Sequence, residues 1–194
     1  MHCTQALPEA YRQILHIDLQ EDKKLMLRVN GAAVGLMLAV FLLGLALAPE
    51  GGRLSDLMRK GVRLGSLFLF LGGTLAYVVL HELTHAAVMK LYGSRHVRFG
   101  FTGVYAYAGS EGDYFDRCAH RNIALAPLLF WGLLFVLLCA LLPPGCFWLV
   151  WLWQVMNISG SAGDLYVTLL LRRRPADLLV RDTGVSMTVY SANA

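Results

Sequence analysis

From Val29 to Ala48 the chain runs for 20 residues without a charged side chain. Such a run leaves few options. A helix needs about 20 apolar residues to cross a hydrocarbon core of about 30 Å, and the backbone N–H and C=O groups inside that core must be bonded within the protein. Three more runs follow the same pattern. Leu64 to about Met89 is uncharged over its first 17 residues. Ile123 to Leu142 carries Pro127 near its start, where a helix tolerates proline best, and stops at Pro143-Pro144-Gly145. Phe147 to Leu171 is apolar except for Gln154, Asn157, Ser159, Ser161, Asp164 and Thr168. With 57% hydrophobic and only 15% charged residues, the chain is far from the composition of a soluble domain. The expected fold is an all-α integral membrane protein, a single membrane-embedded domain over residues 1–194. Its four transmembrane helices lie near 29–48, 64–89, 123–142 and 147–171, and a tail covers 172–194.

The basic residues gather beside these runs. Taking alternate loops together, 13 Lys and Arg fall on the side of the two termini and 4 on the other. By the positive-inside rule both termini and the loop at 91–121 face the cytoplasm. The net charge of +4 is small and dispersed, which argues against a nucleic-acid partner and fits a lipid bilayer. Cys3, Cys118, Cys139 and Cys146 show no metal-binding or redox spacing and read as free thiols. The oligomeric state leaves no mark on the sequence.

Near the end of the second run stands His81-Glu82-Leu83-Thr84-His85. On a helix, positions i and i+4 share a face, so both imidazoles can reach one metal ion, and zinc is the expected metal. Glu82 points about a quarter-turn away, where a carboxylate can take a proton from water at that metal. An ionised group costs about 2.5 to 3.5 kcal/mol to insert at this depth, so a purely structural polar cluster is the weaker explanation.

A zinc site that keeps one position for water needs a third protein ligand. Asp164 lies eight residues before Arg172, and Leu83 seven before Lys90, so both constellations sit roughly 10 to 12 Å inside the same face. At 100° per residue, Asn157, Gly160, Ser161, Asp164 and Thr168 form one stripe. Asn157 on that stripe suits substrate or backbone better than metal. The competing ligands, His96, His120, Glu111, Asp113 and Asp116, lie in a loop or at the interface, where solvation accounts for them.

In the loop at 91–121, Val97, Phe99 and Phe101 alternate with Arg98, Gly100 and Thr102, and Gly103 precedes a second short run. The pattern fits a β-hairpin whose Val97–Phe101 edge could bind an unwound substrate, or equally a loop packed on the bilayer by its aromatics. Ser110 and Asp113 have capping-box-like spacing and predict a helix starting near Glu111.

These residues resemble the site-2-protease class of intramembrane zinc metalloproteases. They resemble more closely the small membrane proteins grouped as Putative zincin peptidases. The resemblance rests on His81-Glu82-Leu83-Thr84-His85-Ala86-Ala87 with Gly93 beyond it, on Asn157 and Asp164, and more loosely on Ala124-Leu125-Ala126-Pro127. It implies that His81, His85 and Asp164 hold Zn2+, that Glu82 activates water, and that the substrate is a membrane protein or peptide. Larger members of the class place the aspartate before a glycine, whereas here Gly163 precedes it, and no inserted PDZ-like domain fits in 194 residues. The expected activity is intramembrane proteolysis. The alternative is a zinc-binding membrane protein without peptidase activity, a metal sensor or carrier, which would need the ligands but not a base beside them.

Overall fold

The computed structural model describes residues 3–18, 21–61, 64–103 and 105–193. In chain order the elements are β1 (Cys3–Thr4), β2 (Arg12–Asp18), α1 (Lys23–Leu47), α2 (Leu54–Lys60), α3 (Leu64–Leu91), β3 (Val97–Phe101), β4 (Ala106–Ser110), β5 (Tyr114–Asp116), α4 (Arg117–Leu141), α5 (Phe147–Gly160), α6 (Ala162–Arg172), β6 (Leu179–Asp182) and β7 (Ser186–Ser191). They form two compact units, one of residues 1–29, 80–126 and 163–194, the other of 30–79 and 127–162.

Helices α1, α3 and α4 are each long and apolar enough to cross a membrane. Leu38, Leu75 and Leu133 are among many large apolar side chains they leave exposed, a surface suited to lipid rather than water. The fourth expected span is interrupted. Ser161 departs from the helix between α5 and α6, and its hydroxyl donates to the carbonyl of Asn157 at 2.9 Å. That back-bond, with Gly160 and Gly163 on either side, competes with the helical ladder and ends α5. At 14 residues α5 is about 21 Å long, short of a full crossing by itself. The stripe drawn through Asn157 and Asp164 as one helix therefore does not hold. Asn157 belongs to the unit of 30–79 and 127–162, Asp164 to the other.

The unit containing both termini corrects the all-α expectation. It holds a five-stranded antiparallel sheet in the order β1-β5-β6-β7-β2. In β7, Met187 and Val189 are buried and alternate with partly exposed Ser186, Thr188 and Tyr190. With Val180, Leu178 and Ile17 they make a core that Leu25 and Leu171 complete. Burying each such side chain stabilises the fold by about 1.5 to 3 kcal/mol, enough to fix the register of the sheet.

The hairpin does form, with β3 and β4 antiparallel and Phe99 opposite Ala108. No helix begins near Glu111. Ser110 and Asp113 do bond, at 2.6 Å, but the same carboxylate oxygen also accepts from the Ser94 hydroxyl at 2.5 Å and from the backbone N–H groups of Arg95 and His96. Asp113 is thus a knot at the base of the hairpin rather than part of a helix cap. Burial pushes its carboxyl upward, but the bonds from Ser110, Ser94, His96 and Arg95 outweigh this and hold it below the usual carboxylate range. Helix α4 starts later, at Arg117, where the Asp116 carboxylate accepts from the N–H of Ala119 at 2.8 Å.

Candidate metal centre

His81 and His85 stand one turn apart on α3, their ring centroids 5.0 Å apart. Asp164 lies in the first turn of α6, close behind the helix start. The interruption at Ser161 creates that start. One ligand atom from each of the three residues lies within 4.8 Å of the others. Nε2 of His81 is 3.9 Å and Nε2 of His85 is 3.7 Å from Asp164 Oδ2. The histidine side chains are about nine-tenths buried, and that of Asp164 is 26% exposed.

This donor set fits zinc. Bonds of about 2.0 to 2.1 Å in a tetrahedral site put donors roughly 3.3 to 3.4 Å apart, so each histidine needs to close on Asp164 by only about half an ångström. The tautomer of His85 fits as well. Its Nδ1 lies 2.9 Å from the carbonyl oxygen of Ile123 on α4, and a carbonyl only accepts, so Nδ1 carries the proton and Nε2 offers its lone pair.

Glu82 points away from the ligand pair, as its position in the motif requires. Its carboxylate is hydrogen-bonded to the backbone of Ala108 on β4 and lies in the electrostatic range of His85, Asp164 and Asp182. The hairpin explains why Ala108 has a group to offer. Thr102 N–H bonds to the carbonyl of Tyr105, so the alternate pair Phe99 and Ala108 directs its N–H and C=O groups outward, away from the ladder. On one side Ala108 faces Glu82. On the other, Val97, Phe99 and Phe101 present a free edge that pairs with no strand among the described residues. Phe99 and Phe101 are exposed.

The back of β4 is held by close approach. A Cβ on Gly109 would collide with the backbone of Thr183 and Gly184, and Gly184 itself has φ +83°, so both positions of this contact call for glycine. Asp182, at the start of that turn, accepts from the N–H of Gly184 at 2.8 Å and bonds to His120 Nε2 at 3.2 Å. Sequence reasoning set His120 aside as solvated. It is 3% exposed.

Asn157 is fully buried in the other unit. Its Oδ1 accepts from the Tyr77 hydroxyl at 2.9 Å and its Nδ2 donates to the Leu128 carbonyl at 3.1 Å. The amide expected to meet substrate is engaged at both ends, joining α3, α4 and α5.

Two histidines one turn apart on a helix, an acidic third donor and a carboxylate beside them make a candidate zincin-type metal centre. Residues 74–179 match the family model described as Putative zincin peptidase. The match covers more than half the chain and includes every residue of the centre, and the chain belongs to that family. Membership points to a zinc metallopeptidase. No curated protein and no solved structure gives a match.

Proposed function

We propose that the protein is an intramembrane zinc metallopeptidase, resembling site-2 proteases, that cuts a substrate protein in or near its membrane segment. One observation carries the reading: His81, His85 and Asp164 converge beside Glu82 on α3, a helix long and apolar enough to span a bilayer. Zinc held by these residues supplies Lewis acidity, polarising a carbonyl and lowering the pKa of water to about 7. Glu82 takes the proton as the water oxygen bonds to the carbonyl carbon. It then returns that proton to the amine nitrogen as the C–N bond breaks. A sensor or carrier would leave Glu82 without a task.

A helical substrate must unwind before its peptide bond is accessible, and its freed backbone groups then need partners. In our reading the edge at Val97, Phe99 and Phe101 supplies them by strand addition. A strand added there lies about two strand spacings, roughly 10 Å, from the Ala108 edge. The edge therefore holds the unwound chain and does not itself face the bond being cut. Asn157 serves as a helix clamp. Because the Phe99 N–H points outward, Phe99→Pro removes one docking bond and leaves the ladder with β4 intact. We expect KM for a transmembrane peptide to rise several-fold, with kcat and zinc content unchanged. Unaltered KM would count against strand addition.

The 13-to-4 distribution of basic residues supports cytoplasmic termini. Gly145 has nothing within 4 Å of the place a Cβ would occupy, so Gly145→Cys should be tolerated. In a background with the four native cysteines changed to serine, an impermeant thiol reagent added outside should label it. Labelling only from the cytoplasmic side would reverse the orientation.

A further inference from the structure

His120 and Asp182 form a buried polar pair that the roles assigned to the centre do not use. His120 sits in the first turn of α4, three residues before Ile123, whose carbonyl fixes the His85 tautomer. Residues three apart share a helix face, so His120 is on the side of α4 that carries the metal centre. The ring lies within electrostatic range of His85 and Asp164, and the Asp182 carboxylate within that of Glu82, His85 and Asp164. The pair therefore stands beside the ligands.

The bonding of the ring is one-sided. Asp182 Oδ2 lies 3.2 Å from Nε2, whereas Nδ1 is buried with no partner among the described residues. A buried imidazole nitrogen left unbonded is destabilising, and packing alone gives no reason to keep it. Asp182 is itself fixed by the Gly184 N–H, at a turn pressed against the Ala108–Gly109 backbone. Its carboxyl is pushed up by burial but held below the usual range by the bond and charge of His120, which favours a carboxylate facing Nε2. One ring nitrogen is thus oriented and the other is left for a ligand. Among the described residues, no other side chain beside the centre both is nine-tenths buried and has an unused nitrogen.

We propose that His120, oriented by Asp182, donates a hydrogen bond from Nδ1 to the oxygen of the scissile carbonyl as negative charge builds on it. This rests on the peptidase reading above. In this role His120 acts as an imidazolium, with Nε2–H donated to the Asp182 carboxylate and Nδ1–H to the carbonyl oxygen. It keeps both protons throughout, and the proton taken from water still travels through Glu82 to the amine nitrogen. The contribution is electrostatic, of the kind an oxyanion-hole donor makes.

The test uses two zinc-binding probes with the same peptide side chains. A phosphinic peptide presents a tetrahedral anionic centre in place of the attacked carbonyl. A peptide hydroxamate chelates zinc without one. Binding of both to the full-length, zinc-loaded protein in detergent is measured for native, His120→Ala and Asp182→Asn, with zinc stoichiometry determined on each sample. We expect His120→Ala to weaken the phosphinic peptide about 10²- to 10³-fold, with hydroxamate affinity and zinc content unchanged. Asp182→Asn, which keeps an acceptor for Nε2 but loses the charge, should show a smaller loss in the same direction. It decides the matter if His120→Ala does not fold. Equal weakening of both probes, or loss of zinc in step with binding, would make the pair merely structural and overturn the proposal. Native protein that binds zinc but neither probe would overturn the peptidase reading, and this inference with it.

Discussion

Glu82→Gln should lower the cleavage rate about 10²- to 10⁴-fold, the range for removing a general base, while zinc stays at its native level. The expectation follows from the position of the side chain. Glu82 leaves α3 a quarter-turn from the His81 and His85 face, and its carboxylate is held by the Ala108 backbone rather than joined to the metal set. Glutamine preserves the shape and the hydrogen-bond acceptor but cannot take a proton. Kinetics on a transmembrane peptide, with metal analysis of the same sample, check it. Loss of zinc together with activity would make Glu82 a ligand, and undiminished cleavage would remove it from the mechanism.

Asp164→Ala should have the second largest effect and a different signature. It deletes one of three donors, so zinc affinity should fall by more than the roughly 10- to 100-fold that follows loss of an outer-shell partner, and cleavage should fall with it. Alanine removes the Oδ2 that lies 3.7 and 3.9 Å from the two imidazole nitrogens and puts no donor in its place. Dialysis against a weak chelator followed by metal analysis distinguishes this from Asp113→Ala. That control unties the hairpin from Ser94, Arg95, His96 and Ser110 but touches no ligand, so it should keep its zinc. Full occupancy in Asp164→Ala would refute the assignment.

The apolar runs and the motif were legible for one reason. Both are local patterns whose meaning depends on length or helical spacing alone, so α1, α3 and α4 and the His81–His85 pair could be placed from residues near one another in the chain. Asp164 was placed near the pair by its depth, and the three side chains do lie together, although the continuous stripe offered beside that argument fails at Ser161. What escaped depends on long-range pairing. The tail at 179–191 carries a readable strand signal, Met187 and Val189 alternating with polar residues after the Asp182-Thr183-Gly184 turn. Nothing local says that it pairs with β2, some 170 residues earlier in the chain. The link between His120 and Asp182 spans 62 positions and follows only from that sheet. Ser110 and Asp113 show the opposite error. Their local spacing was read as a helix start, but Ser94, Arg95 and His96 join Ser110 on the same carboxylate and make it a loop anchor.

The central claim, cleavage within a membrane segment by a zinc centre, is tested most directly by mapping the cut. Protein reconstituted in lipid vesicles with a transmembrane peptide whose core contains helix-weakening glycines is incubated, and the products are identified by mass spectrometry. The account predicts zinc-dependent cleavage at a bond in or beside the apolar segment, absent with Glu82→Gln. Fragments cut only in the soluble flanks, or the same fragments from Glu82→Gln, would contradict it.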